Sequence, residues 1–321
     1  MIDVASFYRF VDVDNPREVQ KNLEEECTRR SLLGTILVAT EGVNGTLAGD
    51  AAAIREVWAW LEVALSLSSP ISGRWSRAAA APFRRMRVRE KREIVALGMP
   101  EIRPQAGTGN HVGPEAWNAL LDRPETLVID TRNRYEVEVG QFPRALNPQT
   151  DSFREFAAFA EALAAGEGCG AGNLDRPVAM YCTGGIRCEK AAALMRRLGF
   201  EDVNQLDGGI LNYLETMSKD DNRWEGECFV FDTRVAVDRD LAEGGYVQCH
   251  ACRRPLSADD LASPDYREGV SCPRCIDSLR PERAERLKER RKQVRLAERR
   301  GTQHIGATKS DKKGSGPVRR S

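Results

Sequence analysis

Apolar and polar positions follow two alternating periods along the first hundred residues. Short apolar runs of strand length are separated by segments whose apolar side chains recur at helical spacing, such as Ile54, Val57, Trp58 and Leu61. The predicted elements in chain order are a strand at 5–11, a helix at 16–30, strands at 34–40 and 42–49, a helix at 51–65 and, after a loop rich in Ser, Pro and Arg, a weaker strand at 83–97. This β-α-β-β-α-β order predicts a ferredoxin-like α/β sandwich over residues 1–98.

A second alternation of strands and helices follows residues 98–113, where Pro100, Pro104, Gly107 and Gly109 interrupt any periodicity and predict a domain boundary. Its predicted elements are strands at 126–130, 178–181 and 203–206 and helices at 152–165, 188–198 and 210–216. Alternation of this kind favours a parallel sheet covered by helices over residues 113–220. Functional sites in such sheets lie at the carboxyl ends of strands, and Cys182 directly follows the strand at 178–181.

The amino-acid composition of the remaining chain changes twice, near residues 281 and 301. Residues 225–280 contain four paired cysteines, residues 281–300 are a highly charged helix candidate, and the Gly, Ser and Lys content of residues 301–321 predicts a disordered tail. From residue 276 to the last, 15 Lys and Arg oppose 6 Asp and Glu, a net charge of +9, although the whole chain has zero net charge. This basic end favours contact with a polyanion such as nucleic acid; a solvated helix followed by disorder is the other interpretation.

Composition excludes several classes of protein. The 321 residues, 41% hydrophobic and 30% charged, are typical of a globular protein with two or three domains. No run of about 18 apolar residues predicts a membrane span, and the first residues lack the basic and apolar regions of a secretory signal. Most of the nine cysteines lie in spaced pairs or beside a glycine-rich loop, a pattern typical of a reducing compartment. We therefore expect a cytoplasmic protein with no membrane contact.

The segment from Cys182 to Arg187 has the composition of a reactive loop. Its sequence is Cys182-Thr183-Gly184-Gly185-Ile186-Arg187. The glycines allow backbone N–H groups to converge on one point, the helix that follows presents its positive end, and Arg187 adds a fixed charge. Together these features lower the pKa of a thiol from its usual value of about 8.5 and favour a nucleophilic thiolate. The alternative interpretation is a buried strand-end cysteine followed by an ordinary turn.

A second thiol, Cys188, directly follows this loop. It lies six residues after Cys182 and could resolve a sulfenate or persulfide there by forming a disulfide. Burial for packing at the start of a helix is the other interpretation. The spacing alone leaves both open.

Two Cys-x-x-Cys pairs predict a metal site. They are Cys249 with Cys252 and Cys272 with Cys275, and nineteen residues separate the pairs. Four thiolates at this spacing are typical of a closed, tetrahedral and therefore structural zinc site. A segment with few apolar residues gains from a metal the stability that its small core lacks.

The central region resembles the rhodanese superfamily. Beyond the loop, the match includes Ile129-Asp130-Thr131-Arg132-Asn133-Arg134-Tyr135-Glu136 and then Gly140-Gln141-Phe142-Pro143-Arg144-Ala145-Leu146-Asn147. Gln141 stands where the superfamily usually has His, and Arg144 where it usually has Gly. We expect Asp130 and Arg132 to brace the reactive loop rather than to react.

Residues 5–280 resemble, more narrowly, the bacterial tRNA uridine-34 hydroxylases. Two stretches carry this resemblance: Glu41-Gly42-Val43-Asn44-Gly45-Thr46, and the reactive loop extended through Cys188-Glu189-Lys190. The resemblance implies oxygen-dependent conversion of the wobble uridine of tRNA to 5-hydroxyuridine, with molecular oxygen as co-substrate and the anticodon loop as the bound partner. It also implies that Cys182 is essential and that Arg187 and the loop backbone surround the reaction.

Two other functions fit parts of the sequence. A thiosulfate or persulfide sulfurtransferase would use the same loop, and a non-catalytic RNA-binding adaptor would use the central domain as a scaffold. No flavin, haem or nicotinamide motif is present.

A basic stretch before the central domain could hold phosphates or could be a solvated strand face. Its members are Arg74, Arg77, Arg84, Arg85, Arg87, Arg89, Lys91 and Arg92.

Overall fold

The computed structural model describes residues 1–71, 73–167 and 173–300 and divides the chain into two compact units. The first unit is Met1–Gly244, and the second begins at Gly245. The expected disordered tail, 301–321, lies outside the described residues. No helix of the described part is long and apolar enough to cross a membrane.

The first domain of the first unit is a five-stranded sheet with two helices. Its elements in chain order are β1 (Ile2–Phe10), α1 (Pro16–Arg29), β2 (Leu33–Ala39), β3 (Gly42–Gly49), α2 (Ala51–Ala64), β4 (Gly73–Ala78) and β5 (Met86–Glu90). The strand order is β4-β1-β3-β2-β5, with β5 parallel to β2 and the other pairs antiparallel. Asn15 caps α1 and Asp50 caps α2, each by accepting hydrogen bonds from backbone N–H groups of the first turn. The first five elements and the ferredoxin-like architecture are confirmed.

The fourth ferredoxin strand is not the one that the hydrophobic pattern predicts. β4 lies within the supposed Ser, Pro and Arg loop and pairs with β1, whereas the strand expected at 83–97 is reduced to β5, an additional edge strand. Most side chains of β4 are half-buried, so the strand has no alternation of apolar and polar residues that would reveal it. Its pairing with β1, seventy residues away in the chain, decides its structure.

The second domain of the first unit contains a four-stranded parallel sheet in the order β6-β10-β9-β7. Its strands and main helices are β6 (Asn110–Val112), α3 (Pro114–Asp122), β7 (Leu127–Asp130), α4 (Arg134–Val137), β8 (Gly140–Gln141), α5 (Phe156–Ala164), β9 (Val178–Tyr181), α6 (Ile186–Arg197), β10 (Val203–Leu206) and α7 (Gly209–Thr216). Side chains of β9 alternate between two cores: Val178 and Met180 pack with Phe156, while Ala179 and Tyr181 pack with Trp117. The sheet is therefore covered on both faces, as predicted.

Several elements of this domain differ from the sequence-based prediction, among them α4 and β8, which were not predicted. Strand β6 lies inside the stretch expected to be a bare boundary, helix α3 was not predicted, and α6 begins two residues earlier than expected. Glycine and proline interrupt the local pattern around β6, and only its pairing with β10 makes it a strand.

Residues 225–244 belong to the first unit rather than to the four-cysteine segment in which we placed them. β11 (Glu225–Gly226) pairs with β8, and β12 (Cys228–Phe229) forms a hairpin with β13 (Ala236–Val237). Cys228, Val230 and Val237 pack into the core around Trp117. These residues therefore complete the second domain.

The second unit is small and poor in regular structure. It contains β14 (Val247–Gln248), β15 (Pro255–Leu256), α8 (Ala258–Ala262) and α9 (Pro281–Arg299). The four predicted metal-binding cysteines form its core together with Ala251 and Leu256. Helix α9 has no buried residue, in agreement with its predicted charged character.

Candidate functional site

The predicted reactive loop lies at the carboxyl end of the central strand β9. Cys182 follows Tyr181, and Gly185, at φ +94°, precedes the first residue of α6. Because α6 begins at Ile186, Arg187 and Cys188 lie in its first turn, and their backbone N–H groups face the loop. The structure thus brings together all six residues of the predicted loop.

A glycine that was not predicted, Gly209, fixes the loop from the start of α7, the helix after the neighbouring strand β10. The backbone N–H groups of Ile210 and Leu211 donate to the carbonyls of Cys182 and Thr183, at 2.9 and 3.1 Å. Gly209, at φ +66°, lies so close that a Cβ atom there would be 2.4 Å from the Cys182 carbonyl oxygen. Only glycine allows this approach. The Gly-Gly pair after the strand at 203–206 was the signal available in the sequence.

The Cys182 thiol is 1% exposed and is surrounded by groups that favour its charged form. Burial alone would raise its pKa, but the Cys188 thiol, the Arg187 guanidinium and the backbone N–H groups of Arg187 and Cys188 lower that pKa to about 6. The Gly185 N–H also donates to Cys182 Sγ at 3.1 Å. This environment therefore favours the thiolate form of Cys182 at neutral pH.

Arg187 is held by a carboxylate that was not among the predicted site residues. Its guanidinium donates to both oxygens of Glu136, at 2.7 and 2.8 Å, and approaches Thr183 Oγ1 at 3.4 Å. Glu136 is fully buried at the start of α4. A bidentate pair of this kind orients the guanidinium rigidly, so that its charge remains beside the thiolate. In the sequence, only its place in the rhodanese-like pattern Asp130–Glu136 singles out Glu136.

Cys188 lies beside Cys182, and the pKa of its thiol shifts in the opposite direction. Burial, followed by the adjoining Cys182 group, raises the pKa of Cys188 well above its usual value. The Thr131 hydroxyl lies 3.6 Å from its sulfur. The surroundings therefore favour ionisation of Cys182 over ionisation of Cys188.

Asp130 and Arg132 form an ion pair with no solvent exposure. Arg132 Nη2 lies 2.6 Å from Asp130 Oδ2 and also donates to the carbonyl oxygen of Gly140 at 2.6 Å. The Thr131 N–H donates to the Tyr181 carbonyl oxygen at 3.0 Å. The ion pair thus joins the end of β7 to β8, and Thr131 joins the end of β7 to β9. Neither Asp130 nor Arg132 lines the cleft beside Cys182.

The ferredoxin-like domain reaches the same helix from the other side. Tyr8 donates to Glu189 Oε1 at 3.0 Å, and Lys190 Nζ lies 2.7 Å from both Glu41 Oε2 and Glu93 Oε2. Lys190 is completely buried. Glu41 is the first residue of one of the two stretches that carry the family resemblance, and Lys190 is the last residue of the other. The Lys190–Glu41 ion pair therefore joins these two stretches directly.

A cleft of about 1160 Å³ opens between the two domains of the first unit. Cys182, Thr183, Gly184 and Arg187 line it from one side, and β1 and β4 line it from the other. Three members of the basic stretch also line the cleft: Arg74, Lys91 and Arg92. Arg77, Arg84, Arg85, Arg87 and Arg89 do not.

The four predicted metal ligands converge in the second unit. Their sulfur atoms all lie within 4.8 Å of one another, with Cys252 to Cys272 at 3.7 Å and Cys272 to Cys275 at 3.6 Å. A tetrahedral zinc–sulfur site with bonds of about 2.3 Å has sulfur–sulfur edges of about 3.8 Å. The arrangement therefore fits a metal ion held by four thiolates, and no ligand position remains open for a substrate.

Comparison with known proteins identifies both domains of the first unit. The family model of the UPF0176 acylphosphatase-like domain matches residues 2–94, and that of the rhodanese-like domain matches residues 114–216. A tRNA uridine(34) hydroxylase of Mesorhizobium japonicum is 49% identical over 308 residues, which cover 95% of this chain and 97% of that protein. Another, from Rhizobium leguminosarum bv. trifolii, is 45% identical and covers 95% of this chain and 96% of its own length.

Solved structures resemble part of this chain. The structure of the human single-domain sulfurtransferase TSTD1 is 25% identical, covers 35% of this chain and all of its own, and has a TM-score of 0.29. The whole-length relatives, by contrast, span both domains and the four-cysteine unit.

Proposed function

Because the chain belongs to the tRNA uridine(34) hydroxylase family, we propose that it converts the wobble uridine of tRNA to 5-hydroxyuridine with Cys182 as the reactive thiolate. The observation that carries this proposal is the position of Cys182 at the base of a cleft between the two domains that the family shares. The persulfide sulfurtransferase and the non-catalytic adaptor are not favoured, since relatives matching 95% of the chain carry the hydroxylase name.

The thiolate can prepare the uracil ring for oxidation. Cys182 Sγ adds to C6 of the ring, and the displaced electron pair makes C5 electron-rich. One atom of molecular oxygen joins C5, the C5 proton leaves, and the C6–sulfur bond breaks to restore the ring and the thiolate. Two electrons and two protons from an external donor reduce the second oxygen atom to water. Arg187 and the loop N–H groups hold the charge on sulfur when the thiolate departs.

The cleft also provides contacts suited to an RNA loop. Lys91 and Arg92 line it and are exposed, and Arg154 lines it from the second domain. Among the described residues none of these three cations forms an ion pair, so they can contact phosphates. A wobble base lies in a single-stranded loop and can enter a cleft without the opening of a duplex. We therefore propose the anticodon loop as the bound partner and the cytoplasm as the place of action.

We further propose that the metal held by Cys249, Cys252, Cys272 and Cys275 is zinc and that its role is structural. Four thiolates supply the tetrahedral sulfur shell that zinc prefers. When bound, the ion would stabilise a unit whose core is otherwise very small.

The direct test is mass spectrometry of nucleosides in tRNA from cells that lack the protein and are complemented with wild type, Cys182→Ala or Cys27→Ala. Cys27 is an equally buried thiol in the core of the other domain and serves as the matched control. We expect 5-hydroxyuridine or its derivatives to return with wild type and Cys27→Ala only. If the nucleosides are the same in all strains, the proposed function is wrong; if Cys182→Ala restores them, the role of Cys182 is wrong.

A further inference from the structure

An aromatic side chain is exposed at the mouth of the cleft. In the part of the chain that the structure describes, four large hydrophobic side chains are exposed: Met1, Val63, Phe231 and Val247. Phe231 is the aromatic one, is 65% exposed, and lines the cleft together with Cys182. An exposed apolar ring is unfavourable in water, and burying it under a bound ligand removes that cost. The position of Phe231 therefore indicates a ligand that covers the ring.

The segment that carries Phe231 is fixed to both domains of the first unit. It connects β12 to β13 and is closed by a hydrogen bond from the Val230 N–H to the Val235 carbonyl at 2.9 Å. Arg234 pairs with Asp232 at 2.6 Å and donates to Ser76 Oγ on β4 at 3.2 Å. The ring therefore projects from a braced hairpin and not from a loose loop.

The neighbours of Phe231 place its ring beside the reactive loop. The ring of Phe229 packs edge-on against it, with centroids 5.2 Å apart and an interplanar angle of 86°. The guanidinium carbon of Arg187 lies 5.9 Å from the Phe231 centroid. Since Arg187 also provides charge to the Cys182 thiolate, the ring and the thiolate flank the same cation.

We propose that Phe231 stacks on the pyrimidine ring of the target nucleotide and positions its C6 atom at Cys182 Sγ. This inference rests on the proposed function. A flat apolar surface at the edge of a charged cleft suits a nucleobase, because every base offers a π-face and a loop base is already unstacked from a helix. Phe231 is on this view a positioning residue for the substrate and takes no part in bond formation.

Binding measured without turnover tests the inference. In the Cys182→Ala background, affinities are compared for two anticodon stem-loop RNAs, one with the target uridine and one with an abasic nucleotide in its place. Stacking predicts that the protein with Phe231 binds the uridine RNA about tenfold more tightly than the abasic RNA. Phe231→Ala should abolish this difference, and Phe231→Tyr should retain it. Val63→Ala, which removes another exposed apolar side chain, should leave it unchanged.

The outcomes separate this inference from the proposed function. If the protein with Phe231 does not distinguish the two RNAs, or if Phe231→Ala still does, the stacking role is overturned while hydroxylation by the wild-type protein stands. If Phe231→Ala abolishes the difference but no nucleoside changes in cells, the base-binding role stands and the proposed reaction fails.

A kinetic measurement on active protein gives a second test. Phe231→Ala should raise KM for the stem-loop far more than it lowers kcat. An unchanged KM would overturn the positioning role and would instead assign the ring to shielding the thiolate.

Discussion

At the scale of single residues, the charge state of Cys182 results from opposing effects that the surrounding side chains decide. Burial opposes ionisation, while one thiol hydrogen bond, one guanidinium and the first backbone N–H groups of α6 favour it, and the pKa falls to about 6. Arg187 can act in this way because Glu136 holds it in place through two hydrogen bonds. The same burial without these partners raises the pKa of Cys27 to about 12.

A pH profile of Cys182 alkylation tests this account. A thiol reacts as its thiolate, which predominates above the pKa, so the rate should rise through pH 6 and become constant where an ordinary thiol is still rising. Arg187→Gln should move the midpoint upwards because it removes the positive charge and leaves Glu136 nearby. The measurement is the iodoacetamide modification rate of the Cys182 peptide by mass spectrometry.

The matched control for this profile is Arg197→Gln, which removes an exposed arginine from the last turn of the same helix. It should leave the midpoint unchanged. A wild-type midpoint near that of a free thiol, about 8.5, would contradict the assigned environment.

At the scale of elements, the first turn of α6 is bound on every side. Arg187 faces α4, Cys188 adjoins the Cys182 thiol, Glu189 accepts from β1, and Lys190 lies between two carboxylates of the ferredoxin-like domain. Consecutive helical side chains point about 100° apart, so four in a row can contact four different neighbours. The start of the helix therefore holds the loop and joins the two domains.

The buried Lys190 makes this joint testable by stability. Lys190→Met should lower the free energy of unfolding by about 3 kcal/mol, because Glu41 and Glu93 then lie buried together without a cation. Adding Glu41→Gln and Glu93→Gln should recover much of this loss, since the stranded charges are removed. Urea denaturation followed by circular dichroism measures both changes.

Lys219→Met is the appropriate comparison, since Lys219 forms an ion pair in which it is 81% exposed. Exposed pairs contribute about 1 kcal/mol or less, so its loss should be barely measurable. Equal destabilisation by Lys190→Met and Lys219→Met would show that the buried contact does not join the domains as described.

At the scale of the whole molecule, the two compact units have different sources of stability. The first unit has extensive hydrophobic cores in both of its domains, whereas the core of the second consists mainly of cysteines. We expect the second unit to depend on the proposed metal for folding and the first unit not to depend on it.

Removal of the metal should therefore unfold one unit and spare the other. We expect a strong chelator to release zinc from the full-length protein and to accelerate amide exchange in residues 245–280, with strands β9 and β10 still protected. Hydrogen exchange with elemental analysis measures both effects. Cys272→Ala should lose the metal and Cys27→Ala should keep it. Full metal content in Cys272→Ala, or equal loss of protection in both units, would contradict the assignment.

The sequence by itself determined the features that depend on neighbouring residues. The short apolar run before Cys182 predicted a buried strand, and the structure has that strand as β9. The two Cys-x-x-Cys pairs predicted a cluster of four sulfur atoms, and the structure brings these four atoms together. Helix caps at Asn15 and Asp50 are equally local. Such signals suffice because hydrogen bonding and side-chain direction within one element follow from a few consecutive residues.

Only the tertiary structure decided the contacts between residues that are distant along the chain. Glu136 lies 51 residues from Arg187, and Glu93 lies 97 residues from Lys190, so no periodicity records either pair. Strand β4 likewise forms only because it pairs with the edge of β1. Phe231 lies beside Arg187 because its hairpin is bonded to β4 through Arg234 and Ser76. The loop sequence already predicted the lowered pKa of Cys182, whereas the carboxylate that holds Arg187 and the cleft beside Cys182 arise only from contacts between distant segments of the chain.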